Sequence, residues 1–119
     1  MKKKIAIIGS TGSIGKTLLN IIKKNKFKFK IELLSANKDY KTLLKQSKKF
    51  KVKKLIIINK KSYNLLKKAT KNLDVKVYNN FDQLDKIFKT RIDYTMSSII
   101  GIEGLVPTIK MIKFTKKIA

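Results

Sequence analysis

The stretch "IAIIGSTGSIGKTLL", residues 5–19, constrains this chain more than any other. An apolar run stops at Gly9, two further glycines follow at three-residue spacing (Gly12, Gly15), and a helical pattern begins at once. A continuous apolar run is what a strand buried on both faces requires, and such strands belong to parallel sheets joined by helices. In a strand-to-helix turn each glycine has its own task. Gly9 permits the tight turn, Gly12 lets a phosphate approach the backbone, and Gly15 lets the helix sit near the sheet. The unpaired amides and partial positive charge of the helix N-terminus then favour a pyrophosphate, with Ser10, Thr11 and Ser13 offering hydroxyl donors at the same spot. Preceded by a strand and opening an amphipathic helix, the spacing points to a dinucleotide. A P-loop is set aside, because Gly15 is followed by Lys16 and Thr17 but Ser10 stands where that motif needs its earlier glycine.

The rest of the chain repeats the alternation. Short runs rich in Ile, Leu and Val predict strands at 3–9, 29–35, 54–58, 75–78 and 92–96, and lysine-rich amphipathic stretches predict helices at 13–25, 39–49, 61–71, 81–88 and 104–114. On the first helix Ile14, Leu18, Ile21 and Ile22 are expected on the buried face, with Lys16, Lys23 and Lys24 outside; on the second, Leu43, Leu44 and Phe50 serve the same purpose. The expected fold is α/β, a Rossmann-like doubly wound parallel sheet with helices on both faces, in one domain over 1–119. No linker, repeat or compositional break marks a second domain. "KFTKKIA" reads as a turn entering another strand where the sequence stops, so the chain is expected to be a fragment.

Composition narrows the chemistry. With no cysteine and no histidine, disulfides, thiolate metal sites, thiol nucleophiles and imidazole acid/base catalysis are excluded within this stretch. The formal net charge of +23 suggests nucleic acid. Against that, Arg91 is the sole arginine among 30 basic residues, whereas phosphate and base recognition favours the planar guanidinium fork. The lysines are spread along the whole chain, so a solvated lysine surface is expected rather than a specific nucleic-acid site. No apolar segment reaches the roughly 18–20 residues of a membrane span, and the N-terminal apolar run is too short for a secretory signal. A cytoplasmic location is expected.

The cofactor's ribose should meet the end of the second strand, where an acid would grip a 2′-hydroxyl in an NAD site. Here the strand runs into "LLSANKDY". Ser35, Asn37 and Lys38 offer donors and a positive charge that suit a 2′-phosphate, while Asp39 is either a ribose acid or the N-cap of the next helix. Glu32, inside the strand, is expected to answer a lysine. A second informative stretch, "DYTMSSIIGIEGLVPTIKMI" at 93–112, ends a strand at Ser97 and Ser98 and enters a helix expected to carry Pro107 in its first turn. In a doubly wound sheet this loop faces the nicotinamide half of a dinucleotide, unless it is an ordinary strand-to-helix loop. Glu103 beside it is expected to be a helix-start charge.

"GSTGSIG" at 9–15, "SANKD" at 35–39 and "SSIIGIEGLVPT" at 97–108 closely resemble, in order and separation, the amino-terminal NADPH-binding domain of the 1-deoxy-D-xylulose 5-phosphate reductoisomerase family. The resemblance covers essentially the whole chain. It implies an NADPH-dependent oxidoreductase of non-mevalonate isoprenoid biosynthesis, which isomerises and reduces 1-deoxy-D-xylulose 5-phosphate to 2-C-methyl-D-erythritol 4-phosphate. It also implies a divalent metal, Mg or Mn, on the substrate oxygens, and a homodimer for the complete enzyme. By position, Thr11, Gly12, Ser13 and Ile14 would contact the pyrophosphate and adjoining ribose. Asn37, Lys38 and Asp39 would surround the adenosine ribose and its 2′-phosphate, and Ser98, Ile99 and Ile100 would line the nicotinamide end. The family often has Asn where this chain has Asp39. Its metal ligands and sugar-phosphate-binding residues lie beyond Ala119, so the resemblance assigns no catalytic or metal-binding residue here, and the isolated chain is expected to be inactive and weakened where a further strand should pair. Another NAD(P)-dependent reductase of the semialdehyde dehydrogenase type, and a basic nucleic-acid-binding module, are the competing readings.

Overall fold

The computed structural model describes residues 2–99 and 102–119, with Ile102 and Glu103 described in their backbone only. Six strands form one sheet: β1 (Lys3–Ile8), β2 (Phe29–Ala36), β3 (Lys54–Ile57), β4 (Lys76–Tyr78), β5 (Ile92–Ser97) and β6 (Thr115–Ile118). Their order is β4-β3-β2-β1-β5-β6, and each neighbouring pair is parallel. Helices α1 (Ser13–Lys24), α2 (Tyr40–Phe50), α3 (Lys60–Ala69), α4 (Leu84–Ile87) and α5 (Ile102–Met111) connect them, α5 passing through a 3-10 turn at Ile112–Phe114 into β6. The chain steps outward from β1 through β4, returns to β1's other edge as β5, and continues to β6. The strand order therefore reverses between β1 and β5, where an open α/β sheet leaves a crevice beyond its strand ends.

Both sheet faces are covered, which is why the central strands are apolar at successive positions. Ile5, Ile7, Leu34, Leu55 and Ile57 pack under Leu19 and Ile22 of α1, Leu43 of α2 and Leu66 of α3. Ala6, Ile8, Leu33 and Ile56 face Phe81, Leu84, Phe88 and Met111 on the opposite side. The register between β1 and β2 slips at Glu32: Ile5 pairs with Ile31 and Ala6 with Leu33. This bulge lets Ile31 and Leu34, an odd number of positions apart, reach the same core. As expected, Glu32 answers a lysine, with its Oε1 3.6 Å from Lys30 Nζ.

The helices stop and start for local reasons. Asp39 and Asn59 cap α2 and α3 by accepting from Thr42 N–H and Ser62 N–H, and the last turns of α1, α2 and α3 carry Lys23–Lys24, Lys48–Lys49 and Lys67–Lys68 against the negative end of the helix dipole. The edge strand β6 is covalently continuous with α5 and is held by a buried hydroxyl pair, Thr95 Oγ1 to Thr115 Oγ1 at 2.6 Å, and by Arg91 donating to the Thr115 carbonyl. Lys116 and Lys117 stand exposed on β6.

Three expectations are corrected. Ile14 and Ile21 are 48% and 53% exposed; the buried face of α1 is Gly15, Leu19 and Ile22, because the helix is rotated to bring its glycine onto the turn at Gly9 and Ser10. Pro107 lies inside α5, which starts at Ile102, so the proline follows the first turn rather than occupying it. The expected helix at 81–88 narrows to the single turn of α4, with Phe81 left as a buried core residue before it.

The rotated face has a measurable consequence. Leu19→Ala should cost about 2–5 kcal/mol in denaturant unfolding, as buried large-to-small changes do, whereas Ile21→Ala should stay within about 0.5 kcal/mol. Equal costs at the two positions would contradict the observed orientation of α1.

Candidate cofactor site

The cleft lies beyond the carboxyl ends of β1, β2, β3 and β5 and encloses about 440 Å3. Gly9, Thr11 and Gly12 line it from the glycine turn, Ser35, Ala36 and Asn37 from the end of β2, and Ser98 and Ile99 from the end of β5. Ile58, Phe81 and Pro107 complete an apolar wall. The two sequence stretches that bracket the chain thus meet in one concavity.

The three glycines differ in what surrounds them. Gly9 has φ +80°, and a Cβ there would stand 2.7 Å from Ile99 Cγ1, so its conformation and its packing both exclude a side chain. A Cβ on Gly15 would meet the Gly9 carbonyl oxygen at 2.5 Å and Ser10 Cα at 2.6 Å. At Gly12 the nearest such contact is the Gly9 oxygen at 3.8 Å, leaving room for a ligand. Gly12 is also the N-cap of α1, with no side chain capping that helix, so its first-turn amides are free to meet an anion. Gly9 and Gly15 thus stand where the tight turn and the close helix approach exclude a side chain, as their spacing leads one to expect.

The turn is held from three sides. Gly9 N–H donates to Ser35 Oγ at 3.0 Å and Ser10 N–H to the Ser35 carbonyl at 2.9 Å. Ser98 Oγ lies 2.7 Å from both the Ile8 and Gly9 carbonyls, tying β5 to the end of β1. Ser10, expected as a hydroxyl donor at the pyrophosphate, is completely buried and donates to Gln46 Oε1 of α2; it braces the turn instead. Ser35 is likewise buried and engaged with Gly9. Residue spacing did not point to Gln46. Its only signal is an amide three residues after Leu43 on a helix face that is otherwise turned to the core.

Of the expected binding residues, Thr11, Gly12, Asn37, Ser98 and Ile99 line the cleft together. Ser13 and Ile14 are exposed at the start of α1, and Lys38 and Asp39 are exposed beside Asn37; none of these four lines the cleft itself. Ile100 lies outside the described residues, as does the Glu103 side chain. Asp39 is the N-cap of α2: its Oδ1 accepts from Thr42 N–H at 3.1 Å. Its hydrogen bonding to Thr42 holds the carboxyl below its ordinary value, with Lys16 and Lys45 adding to the effect against some desolvation. Among the described residues no three Asp, Glu, His or Cys side chains come together, and no helix is long and apolar enough to cross a membrane.

A parallel sheet whose strand order reverses beside a glycine-spaced, uncapped turn defines a Rossmann-like α/β fold. The family model for 1-deoxy-D-xylulose 5-phosphate reductoisomerase matches residues 5–119, and the chain belongs to that family. It is 57% identical over 119 residues to the reductoisomerase of Pelagibacter ubique, covering 98% of this chain and 31% of that protein. It is 42% identical to that of Phocaeicola vulgatus, covering all of this chain and again 31% of the relative. The solved reductoisomerase of Zymomonas mobilis in complex with NADPH superposes with a TM-score of 0.86 at 30% identity, covering 99% of this chain and 31% of that one. A reductoisomerase in complex with NADPH, fosmidomycin and magnesium superposes at 0.80 and 26% identity, over 91% of this chain and 27% of that one. The chain thus spans less than a third of the length of the curated relatives it matches.

Two substitutions separate the parts of this turn. Gly15→Ala should destabilise the chain by more than about 2 kcal/mol, because its Cβ meets backbone, while Gly12→Ala should leave the thermal midpoint nearly unchanged. Asp39→Ala should cost about 1 kcal/mol as a lost N-cap. Because the folded-state pKa of Asp39 is lowered, that stabilisation is present above the unfolded carboxylate range and disappears as pH falls through the folded value. Unfolding of parent and Asp39→Ala chains should therefore converge in acid; a gap that persists there would refute the capping role.

Proposed function

We propose that residues 1–119 are the NADPH-binding domain of a 1-deoxy-D-xylulose 5-phosphate reductoisomerase. The observation that carries this reading is the convergence of the glycine turn, the Asn37 loop and Ser98–Ile99 on one cleft at the strand-order reversal. Thr11, Gly12, Ser13 and Ile14 would take the pyrophosphate, since Gly12 leaves open space and α1 presents free amides. Asn37 and Lys38 would take the 2′-phosphate, with Lys16 beside Asp39 offsetting its charge. Ile99 and Ile100 would cover the nicotinamide end, and Ile58 and Phe81 offer apolar surface to the cofactor's rings. When bound, NADPH supplies the hydride that reduces the rearranged substrate.

In the complete enzyme the chemistry would be the isomerisation and reduction of 1-deoxy-D-xylulose 5-phosphate to 2-C-methyl-D-erythritol 4-phosphate. The sugar-phosphate site and the Mg or Mn ligands would come from the two thirds of the relatives' length that this chain does not span. A cytoplasmic homodimer is the assembly we assign to the complete enzyme, on family membership alone.

Titration of the purified chain with NADPH and NADH tests the reading. NADPH should bind, and more tightly than NADH. Gly12→Val should abolish binding while the chain stays folded. Asp39→Asn retains a good N-cap but removes a like charge from the 2′-phosphate, so it should tighten NADPH about threefold at low salt, less as salt is added, and leave NADH unchanged. A folded parent chain that binds neither nucleotide would sink the proposal.

A further inference from the structure

We infer that Gln46 is a positioning residue for the pyrophosphate-binding turn, an inference that rests on the cofactor reading above. Gln46 lies in α2, 8% exposed, with both halves of its amide spent on one residue of the glycine turn. Its Nε2 donates to the Ser10 carbonyl at 2.9 Å, and its Oε1 accepts from Ser10 Oγ at 2.8 Å. A carbonyl oxygen can only accept, so the amide has a single orientation here. Burying an amide in a helix–sheet interface is costly unless it is satisfied, and an apolar side chain would fill the space without that cost. What the amide adds is direction.

That direction reaches the cleft through one peptide plane. In a trans peptide the C=O of one residue and the N–H of the next point in opposite senses. With the Ser10 carbonyl held toward α2, the Thr11 N–H points away from α2. Thr11 lines the cleft, and among the described residues no protein acceptor faces its N–H. Gln46 thereby fixes the aim of a donor that an incoming phosphate oxygen would meet, at the turn whose other side is anchored by Ser35 and Ser98. The same helix is capped by Asp39, beside the loop assigned to the 2′-phosphate, so α2 sets both phosphate-binding segments relative to each other. A donor fixed before the ligand arrives avoids the ordering cost of binding.

The test uses Gln46→Met, which keeps the volume and removes the amide, in the full 119-residue chain. NADPH affinity should fall about tenfold, whereas adenosine 2′-phosphate, which carries no pyrophosphate, should bind as it does to the parent. Equal losses for both ligands, or no loss for either, would overturn the inference, since a general loosening of the fold does not distinguish them. In a double-mutant cycle, Ser10→Ala combined with Gln46→Met should lose little more than Gln46→Met alone; additive losses would mean that the two do not act together. Amide exchange provides a readout without nucleotide. Exchange at Gly9 and Ser10 should quicken several-fold in Gln46→Met relative to the β3 amides, and unchanged rates would overturn the bracing role. Were the parent chain to bind no nucleotide, the cofactor reading would fall, and the exchange rates would still decide whether Gln46 holds the turn.

Discussion

The Gly9 carbonyl oxygen sits 2.5 Å from the point that a Cβ on Gly15 would occupy, and the rest of the structure is arranged around that approach. Because the first turn of α1 rests directly on the turn that precedes it, Leu19 and Ile22 of the same helix come down onto Ile5 and Ile7. The sheet's first face closes there. The approach is repeated on the other side of the strand-order reversal, where a Cβ on Gly104 would stand 2.5 Å from the Ile99 carbonyl oxygen. In both α1 and α5 the glycine is the third helical residue. Two helices that follow neighbouring strands are thus drawn against their own loops, and the space left between those loops is the cleft. Side chains at either position would lift the helix and widen the floor of the cleft.

The electrostatics follow from how few acids the chain has and how they are used. Glu32, Asp74, Asp82 and Asp93 pair with Lys30, Lys53, Lys110 and Lys116, and Asp39 is committed to a helix cap. These surface pairs add little to stability, but they consume negative charge. The remaining lysines are left in excess, several at helix C-termini where the dipole favours them. A net charge of +23 is in this sense a property of the surface, spread over elements with other reasons for carrying lysine. Such a field raises the local concentration of any phosphate ligand without choosing among them; under the proposed function the choice would fall to the backbone of one turn and the loop at Asn37.

Much of this was legible in the residues. Strand and helix positions follow from apolar runs and amphipathic spacing because both faces of the sheet are covered, and the turn before β6 shows in "KFTKKIA". The glycine roles were readable because each demands a backbone geometry that only one residue type tolerates. What was not legible is what depends on rotation and depth. Periodicity placed Ile14 and Ile21 on the buried face of α1, yet packing Gly15 against the turn rotates them toward solvent. Ser10 looks like a ligand donor in one dimension, and only the approach of α2, 36 residues away along the chain, shows that it is buried. Gln46 carries almost no one-dimensional signal, since a single amide on an amphipathic helix is as compatible with the rim as with the core.

Asp39 shows how a structural demand and a binding demand meet at one position. A helix starting next to a cofactor loop needs an acceptor for its first amides, and Asp and Asn serve that need about equally well. They differ in charge, and the charge matters only if a second anion comes close. With Lys16 and Lys45 on either side lowering the cost of the carboxylate, the acid keeps the cap and is partly neutralised from α1 and from its own helix. The cap accounts for an acceptor at this position, and under the proposed function the charge of that acceptor, set against the lysines facing it, would weigh on which nucleotide is preferred.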